Sequence, residues 1–326
     1  MTSGTVLEVR DLSVSYLMDR GTTLAVDDVS FDLSAGEFLG IVGESGCGKS
    51  TLLFAIAQLL VMPAEITSGS VTFKGRNMVG LTDKELAAVR WRDMSVVMQS
   101  AMNALNPVKS IGAQFTDAMR AHGVASKGEI AERSAEVLRM VGIDPLHLKS
   151  YPHQLSGGMR QRSMIAMAML FTPDLVIMDE PTSALDVVAQ RSLMVQIKEL
   201  QEQLGFAIIF VTHDMSLVSH FSDRLMVMYG GVVAEFGATR QVFDTPLHPY
   251  SIGLLDAFPS IRGPRVPLTG IPGSPPDLAN IPPGCRFAPR CPKVMARCEV
   301  EPPELYQVDG TLVRCFLHGG GGPGDD

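Results

Sequence analysis

The chain carries the stretch FLGIVGESGCGKSTLL at residues 38–53, and this stretch decides the fold. An apolar run at 38–42 precedes a glycine-rich loop and then residues typical of a helix start, which predicts a strand, a loop and a helix in that order. Residues 43–50 fit the phosphate-loop pattern, in which backbone N–H groups curl around anionic oxygens at a helix N-terminus. The alternative is a glycine-rich turn before an ordinary core helix, and the order of elements argues against it.

Most positions of this loop predict a contact with a nucleotide. Lys49 is expected to meet the β- and γ-phosphates, and Ser50 to place its hydroxyl on Mg²⁺. Thr51 either caps the helix or touches the α-phosphate. ATP with Mg²⁺ is therefore the predicted ligand. The remaining predicted phosphate-binding positions are Gly43, Ser45, Gly46, Cys47 and Gly48.

A pair of carboxylates follows a second apolar run. Residues 175–178 predict a buried parallel strand, and Asp179 and Glu180 come directly after it, at the strand end where doubly wound α/β folds place their chemistry. We expect Asp179 to hold Mg²⁺ and Glu180 to polarise the water that attacks the γ-phosphate. A helix cap or an exposed acidic pair is the alternative, which the phosphate loop makes less attractive.

Two further polar residues are predicted to lie at strand ends. His213 follows the apolar run 207–211 and is placed to contact the γ-phosphate and hold the attacking water, although a lone histidine there is more often a packing or capping residue. Gln99 follows the apolar run 96–98, from which its amide can reach Mg²⁺ or the water. Both assignments depend on the order of the motifs, because neither residue is informative alone.

Residues 155–161 read LSGGMRQ and predict a second anion site at the start of a helix. Ser156 is the expected N-cap, and the backbone N–H groups of Gly157 and Gly158 are free to bind a phosphate. One nucleotide does not easily reach both this helix start and the distant phosphate loop within one chain. ATP is therefore predicted to lie between two subunits.

These motifs together resemble the ABC ATPase family, and the resemblance covers about residues 6–243. It implies that Tyr16 stacks on adenine, that Gln99 is the Q-loop residue, and that His213 is the switch histidine. It also implies that the D-loop is 183–186, ending in Asp186. Met159 stands where the family's LSGGQ motif has glutamine, outside the Ser-Gly-Gly core.

The resemblance implies an α/β fold: a P-loop NTPase core of the ABC ATPase type, with a RecA-like sheet, an antiparallel β subdomain and a helical subdomain at about 100–172. Helices are expected over much of 115–170 and from 189 to 204, and a strand at 207–211. In such proteins two ATP molecules close a dimer and hydrolysis reopens it. Residues 99–107 are expected to dock a helix of a membrane subunit.

The composition changes after Gly237, and ten prolines between 246 and 283 predict a small irregular extension at 244–318, followed by a mobile tail at 319–326. The stretches His248-Pro249-Tyr250 and 284–291 (GCRFAPRC) resemble the C-terminal extension of oligopeptide/dipeptide permease ATPases.

The extension also holds four of the five cysteines: Cys285, Cys291, Cys298 and Cys315. Their spacing is wider than in a zinc knuckle, and a [4Fe–4S] cluster accepts irregular spacing and four thiolates. The resemblance implies the same cluster, while structural zinc and free buried thiols remain alternatives.

Charge and hydropathy limit the partners. A net charge of −8 argues against nucleic-acid binding, and no apolar run approaches the ~18 residues of a membrane span. With no signal peptide at 1–10, the chain is expected on the cytoplasmic face of a membrane, attached through partners. The resemblance implies a peptide importer with a second, distinct ATPase, two integral membrane permeases and an extracellular solute-binding protein. Alternatives are importers of oligosaccharides or nickel, an ABC exporter, and a soluble ABC ATPase acting on ribosomes or DNA.

Overall fold

The structure is a computed structural model that describes residues 4–18, 21–99, 104–183, 185–257 and 270–319. It divides into two compact units, each made of segments that are distant in sequence. Unit 1 comprises Met1–Leu7, Asp32–Phe38 and Thr72–Thr212, and unit 2 comprises Glu8–Phe31, Leu39–Val71 and His213–Asp326. The predicted boundary at residue 243, between the ATPase domain and the C-terminal extension, stays a prediction.

The strands and helices are numbered in chain order. The strands are β1 (Thr5–Met18), β2 (Gly21–Ser34), β3 (Phe38–Val42), β4 (Ala64–Phe73), β5 (Arg76–Asn77), β6 (Met94–Val97), β7 (Leu175–Asp179), β8 (Ala207–Val211), β9 (Arg224–Tyr229), β10 (Val232–Ala238), β11 (Tyr306–Val308) and β12 (Thr311–Val313). The α-helices are α1 (Lys49–Ile56), α2 (Asp83–Val89), α3 (Ile111–Ala121), α4 (Lys127–Met140), α5 (Gly157–Ala168), α6 (Val187–Leu204), α7 (Met215–Phe221), α8 (Thr239–Asp244), α9 (Pro249–Asp256) and α10 (Ala296–Val300).

The sheet of unit 1 is parallel, with β7 between β6 and β8. β7 and β8 are buried along their whole length, as expected of strands that are covered on both faces. The predicted runs at 175–178 and 207–211 are therefore confirmed as strands. Because the three strands are parallel, their carboxyl ends lie at the same edge, and Gln99 and Glu180 follow two of them.

Serine residues start the helices of the predicted helical region in unit 1. The hydroxyls of Ser110 and Ser126 accept hydrogen bonds from backbone N–H groups three residues on, which satisfies groups that the helix leaves unpaired. Helices α3, α4 and α5 confirm the helical prediction for 115–170. α6 begins two residues before the predicted start and ends at Leu204, as predicted, and the next residue, Gly205, has the left-handed conformation common after helix ends.

The sheet of unit 2 contains β11, β12, β10, β9 and β3 in that order. β3 is parallel to β9, and the other pairs are antiparallel. β1, β2 and β4 contribute most of their residues to unit 2, where β1 lies between the other two. Across the part of the chain that the structure describes, no helix is both long enough and apolar enough to cross a membrane.

The extension is more regular than its prolines predicted. α9 begins at Pro249, which fits the first turn of a helix because the N–H that proline lacks would have no helical partner there. β11 and β12 form a hairpin, and Phe236 of β10 pairs with Leu312 of β12. The expectation of an irregular extension is thus wrong at these segments, since pairing with the edge of β10 supplies order that local sequence does not encode. Residues 258–269 and 320–326 of the predicted extension and tail lie outside the described residues.

Candidate nucleotide site

The loop between β3 and α1 has the conformation that its glycines predict. Gly43, Gly46 and Gly48 have φ angles of +152°, +79° and +101°, a region that residues with a Cβ rarely adopt. A Cβ on Gly43 would collide with the carbonyl oxygen of Met228, and one on Gly48 with that of Ala25. The loop therefore follows a path that is open to glycine alone at these two positions.

Lys49 lies on the inner side of this loop. Its buried ammonium donates hydrogen bonds to the carbonyl oxygens of Gly43, at 2.7 Å, and Glu44, at 2.9 Å. Cys47 is buried beside it, with Sγ 3.7 Å from Nζ, and burial raises the pKa of the thiol. A protonated thiol adds no negative charge beside the predicted phosphate positions.

The start of α1 corrects one expectation. The N-cap is Gly48, so the alternative in which Thr51 caps the helix is wrong. The Thr51 hydroxyl instead lies 3.1 Å from the hydroxyl of half-buried Tyr16. Ser50 is exposed in the first turn of α1. Unit 2 thus brings Tyr16 together with the end of the phosphate loop, as a shared nucleotide site requires.

Glu44, the second residue of the loop, binds two residues that the sequence did not single out. The guanidinium of Arg290 donates to both carboxylate oxygens, at 2.6 and 3.0 Å, and the Tyr250 hydroxyl accepts from the Glu44 N–H at 2.9 Å. Tyr250 belongs to the His-Pro-Tyr stretch and Arg290 to GCRFAPRC, both noted only for a family resemblance. No local pattern links positions that lie 246 residues apart.

Gln99 and Glu180 meet at the carboxyl edge of the unit 1 sheet. The side-chain amide of Gln99 donates to Oε2 of Glu180 at 2.6 Å. The backbone N–H of Glu180 donates to the carbonyl oxygen of Val211 at 2.9 Å. Its φ of +46° is left-handed, which costs an L-residue ~1–2 kcal/mol and is typical of functional sites. Asp179, the last residue of β7, is buried directly before it.

The predicted second anion site has the expected helix start. α5 begins at Gly157, and Ser156 caps it by accepting from the N–H of Met159 at 3.2 Å. Nothing lies within 4 Å of where a Cβ on Gly158 would stand, so this face of the first turn is open. Gln161 donates to the carbonyl oxygen of Pro181, which ties this helix to the residue after Glu180.

The remaining predicted residues occupy separate positions. Asp186 caps α6 by accepting from the N–H of Ala189 at 2.9 Å. His213 is exposed two residues after β8 ends, and it belongs to unit 2. Residue 184 of the predicted D-loop and residues 100–103 of the predicted docking stretch lie outside the described residues.

The four cysteines of the extension line one cavity of about 10 Å³. This is roughly the space of a single water molecule, and the four thiols around it are the donor set that a [4Fe–4S] cluster needs. Among the residues that the structure describes, no three His, Cys, Asp or Glu side chains are arranged to hold a metal ion. Burial raises the pKa of Cys285 and Cys291, and raises that of Cys315 to about 11.

Family models match two parts of the chain. The model "ABC transporter" matches residues 26–183, and "Oligopeptide/dipeptide transporter, C-terminal region" matches residues 234–298. A third model, "AAA domain, putative AbiEii toxin, Type IV TA system", matches residues 148–219, largely within the ABC core. The second match includes most of the extension, with three of its four cysteines.

Curated relatives align with almost the whole chain. The oligopeptide transport ATP-binding protein OppD of Salmonella typhimurium is 44% identical, over 95% of this chain and 93% of its own. The dipeptide transport ATP-binding protein DppD of Bacillus subtilis is 44% identical, over 96% and 94%. DppD of Caldanaerobacter subterraneus is 41% identical, over 98% of both chains.

Solved structures agree with the fold. The dimeric post-hydrolysis state of the ATP-binding cassette MJ0796 bound to ADP and Pi has a TM-score of 0.64 and 30% identity, covering 72% of this chain and 99% of that one. CbiO1 of Clostridium perfringens, part of the ABC transporter complex cbiONQ, has a TM-score of 0.64 and 29% identity, covering 74% and 91%. The predicted cassette fold is thus confirmed, and the chain belongs to the ABC transporter ATPases, in the oligopeptide/dipeptide branch that carries this C-terminal region.

Proposed function

We propose that this chain hydrolyses ATP on the cytoplasmic face of a membrane to drive the uptake of peptides by an ABC importer. One observation carries the proposal: a full set of nucleotide motifs and an oligopeptide/dipeptide C-terminal region share a chain that aligns end to end with peptide-transport ATP-binding proteins. The cargo is the part of the proposal that rests on these relatives alone.

Adenine and phosphate binding are assigned to residues of unit 2. The loop from Gly43 to Gly48 cradles the phosphates with its backbone N–H groups, and Lys49 exchanges its two carbonyl contacts for the β- and γ-phosphates. Tyr16 stacks on adenine beside Thr51. Ser50 and Asp179 are the proposed ligands of Mg²⁺, which when bound neutralises charge on the phosphates.

Hydrolysis is assigned to Glu180. The hydrogen bond from Gln99 fixes the direction of its carboxylate, which accepts a proton from the water that attacks the γ-phosphorus. The bond from the phosphorus to the β–γ bridging oxygen breaks as the bond to water forms, and the electron pair leaves with ADP. His213 is proposed to contact the γ-phosphate and to hold the attacking water.

The second anion site is assigned to a nucleotide bound on another ATPase subunit. Ser156, Gly157 and Gly158 present a capped helix start with one open face, where N–H groups and the helix dipole favour a phosphate. Asp186 is proposed to act at the same subunit interface. The proposed partners are a distinct second ATPase, two integral membrane permeases and an extracellular solute-binding protein.

We further propose that the four cysteines of the extension bind a [4Fe–4S] cluster. The support is that all four cysteines line one cavity and together supply the four thiols that such a cluster needs. Anaerobic purification should yield a brown protein whose iron and visible absorption are lost in a Cys291→Ser variant. Iron-free protein containing zinc, or protein free of both metals, would overturn this assignment.

Uptake by membrane vesicles that contain the assembled transporter tests the cargo. Radiolabelled di- and oligopeptides should enter the vesicles only when ATP is present on the cytoplasmic face of the membrane and the solute-binding protein is present on the opposite face. Uptake of oligosaccharides or nickel instead would reassign the cargo. An active ATPase that never copurifies with membrane subunits would contradict the assignment to an importer.

A further inference from the structure

The extension holds the phosphate loop at Glu44. The Tyr250 hydroxyl fixes the backbone, because it accepts from the Glu44 N–H at 2.9 Å. The Arg290 guanidinium fixes the side chain, because Nη1 and Nη2 donate to opposite carboxylate oxygens at 2.6 and 3.0 Å. A residue held at both places cannot shift without breaking charge-assisted hydrogen bonds, which are the strong kind.

The Arg290 side chain is rigidly held. It is only 6% exposed, and Glu44 is 25% exposed, so water screens this pair weakly. Its other hydrogen bonds run to the Tyr229 hydroxyl at 3.2 Å and to the carbonyl oxygens of Pro272 at 2.7 Å and Ile271 at 3.3 Å. The hydrogen bond to Glu44 raises the pKa of Arg290, which stays charged. Arg240 and Asp244 form a contrasting pair, 93% and 65% exposed, of the kind that contributes little.

Tyr250 is also fixed in place, by aromatic packing. The residue is fully buried, and its ring centroid lies 4.5 Å from that of Tyr229 and 5.5 Å from that of Phe287. Burial raises the pKa of the phenol, so the hydroxyl keeps its proton and remains a neutral acceptor for the Glu44 N–H. Both partners of Glu44 are therefore set by packing within the extension and β9.

The loop residue that the extension holds is also a contact of the phosphate-binding lysine. Lys49 donates to the carbonyl oxygen of Glu44 at 2.9 Å, so a shift of Glu44 moves a group that the ammonium touches. From this geometry we infer that Arg290 and Tyr250 are positioning residues for ATP binding, and that they act through Glu44. The inference rests on the proposed nucleotide site and makes the extension part of it.

Steady-state kinetics of the full-length chain in its assembled transporter test this role. Arg290→Met removes the charged fork and should raise the KM for ATP about 10-fold, within the usual range of couplings between distinct sites. Because Gln99 and Glu180 are untouched, kcat should stay within about twofold. Arg290→Lys keeps the charge without the fork and should restore part of the affinity. Arg240→Met, the matched control, should match the wild type.

A double-mutant cycle separates positioning from general stability. If Arg290 acts through Glu44, adding Glu44→Gln to Arg290→Met should not raise KM further. The inference would be overturned if the KM increases of the two single variants multiply in the double variant. It would also be overturned by a wild-type KM in folded Arg290→Met. If Arg290→Met fails to fold, three milder variants test the inference instead: Tyr250→Phe, Arg290→Lys and Glu44→Gln. A wild-type KM for ATP in all three would overturn it. A wild-type protein that binds no ATP would instead refute the proposed nucleotide site.

Discussion

The left-handed backbone of Glu180 predicts that glycine is more stable than alanine at this position. An L-residue at φ +46° costs ~1–2 kcal/mol, and glycine avoids this cost. Glycine loses ~0.5–1 kcal/mol through its freer unfolded chain, so the net advantage of Glu180→Gly over Glu180→Ala is about 0.75 kcal/mol, within a range of roughly 0–1.5 kcal/mol. Both variants lose the carboxylate and its hydrogen bond to Gln99, and that loss cancels in the comparison.

Urea unfolding of the nucleotide-free, full-length variants measures this difference. Glu202 supplies the matched control, because it is exposed within α6, where alanine should be more stable than glycine by about 1 kcal/mol. The order of stability should therefore reverse between the two positions. If Glu180→Ala is more stable than Glu180→Gly by as much as alanine exceeds glycine at position 202, the strain assigned to Glu180 does not exist in solution and the reasoning fails.

Two further predictions concern acid stability and the phosphate loop. Burial lowers the pKa of His248 from 6.5 to about 4, so the unfolded chain takes up the proton first, and the free energy of unfolding should fall by up to about 3 kcal/mol as the pH drops through that window. His248→Asn keeps a helix-capping residue and should flatten this part of the pH profile relative to the wild type. Buried Glu235, whose pKa is raised, is present in both proteins and so does not account for a difference between them. An unchanged profile in His248→Asn would contradict the assignment to His248. Gly48→Ala should weaken ATP binding about 100-fold in a calorimetric titration, because the new Cβ meets the carbonyl oxygen of Ala25. Gly46→Ala has open space around its Cβ and should lose much less affinity for ATP. Equal losses of affinity would mean that backbone strain alone, without the collision, sets the effect.

Local sequence patterns were sufficient to predict those elements whose structure depends only on neighbouring residues. The run at 38–42 predicted β3 because a continuous apolar run before a glycine-rich loop has few alternatives. Ser156 was predicted as a cap because its hydroxyl needs only the N–H three residues on. The strand ends at Gln99 and Glu180 were predictable for the same reason, although their hydrogen bond to each other was not.

Contacts between distant segments were beyond such patterns. Glu44 and Arg290 lie 246 positions apart, and neither residue belongs to a local motif that requires an ion pair. The β11–β12 hairpin was missed because the edge of β10, rather than strand propensity in a proline-rich segment, stabilises it. The capping role considered for Thr51 failed because Gly48 already starts the helix, which leaves the threonine hydroxyl beside Tyr16.

The central claim is that Glu180, oriented by Gln99, hydrolyses ATP bound on the phosphate loop. The most direct test measures phosphate release and ATP affinity in the assembled transporter, with wild-type chain and with Glu180→Gln. Loss of a general base predicts ~10²–10⁴-fold slower release at unchanged affinity for ATP. Release at the wild-type rate by Glu180→Gln would contradict the claim.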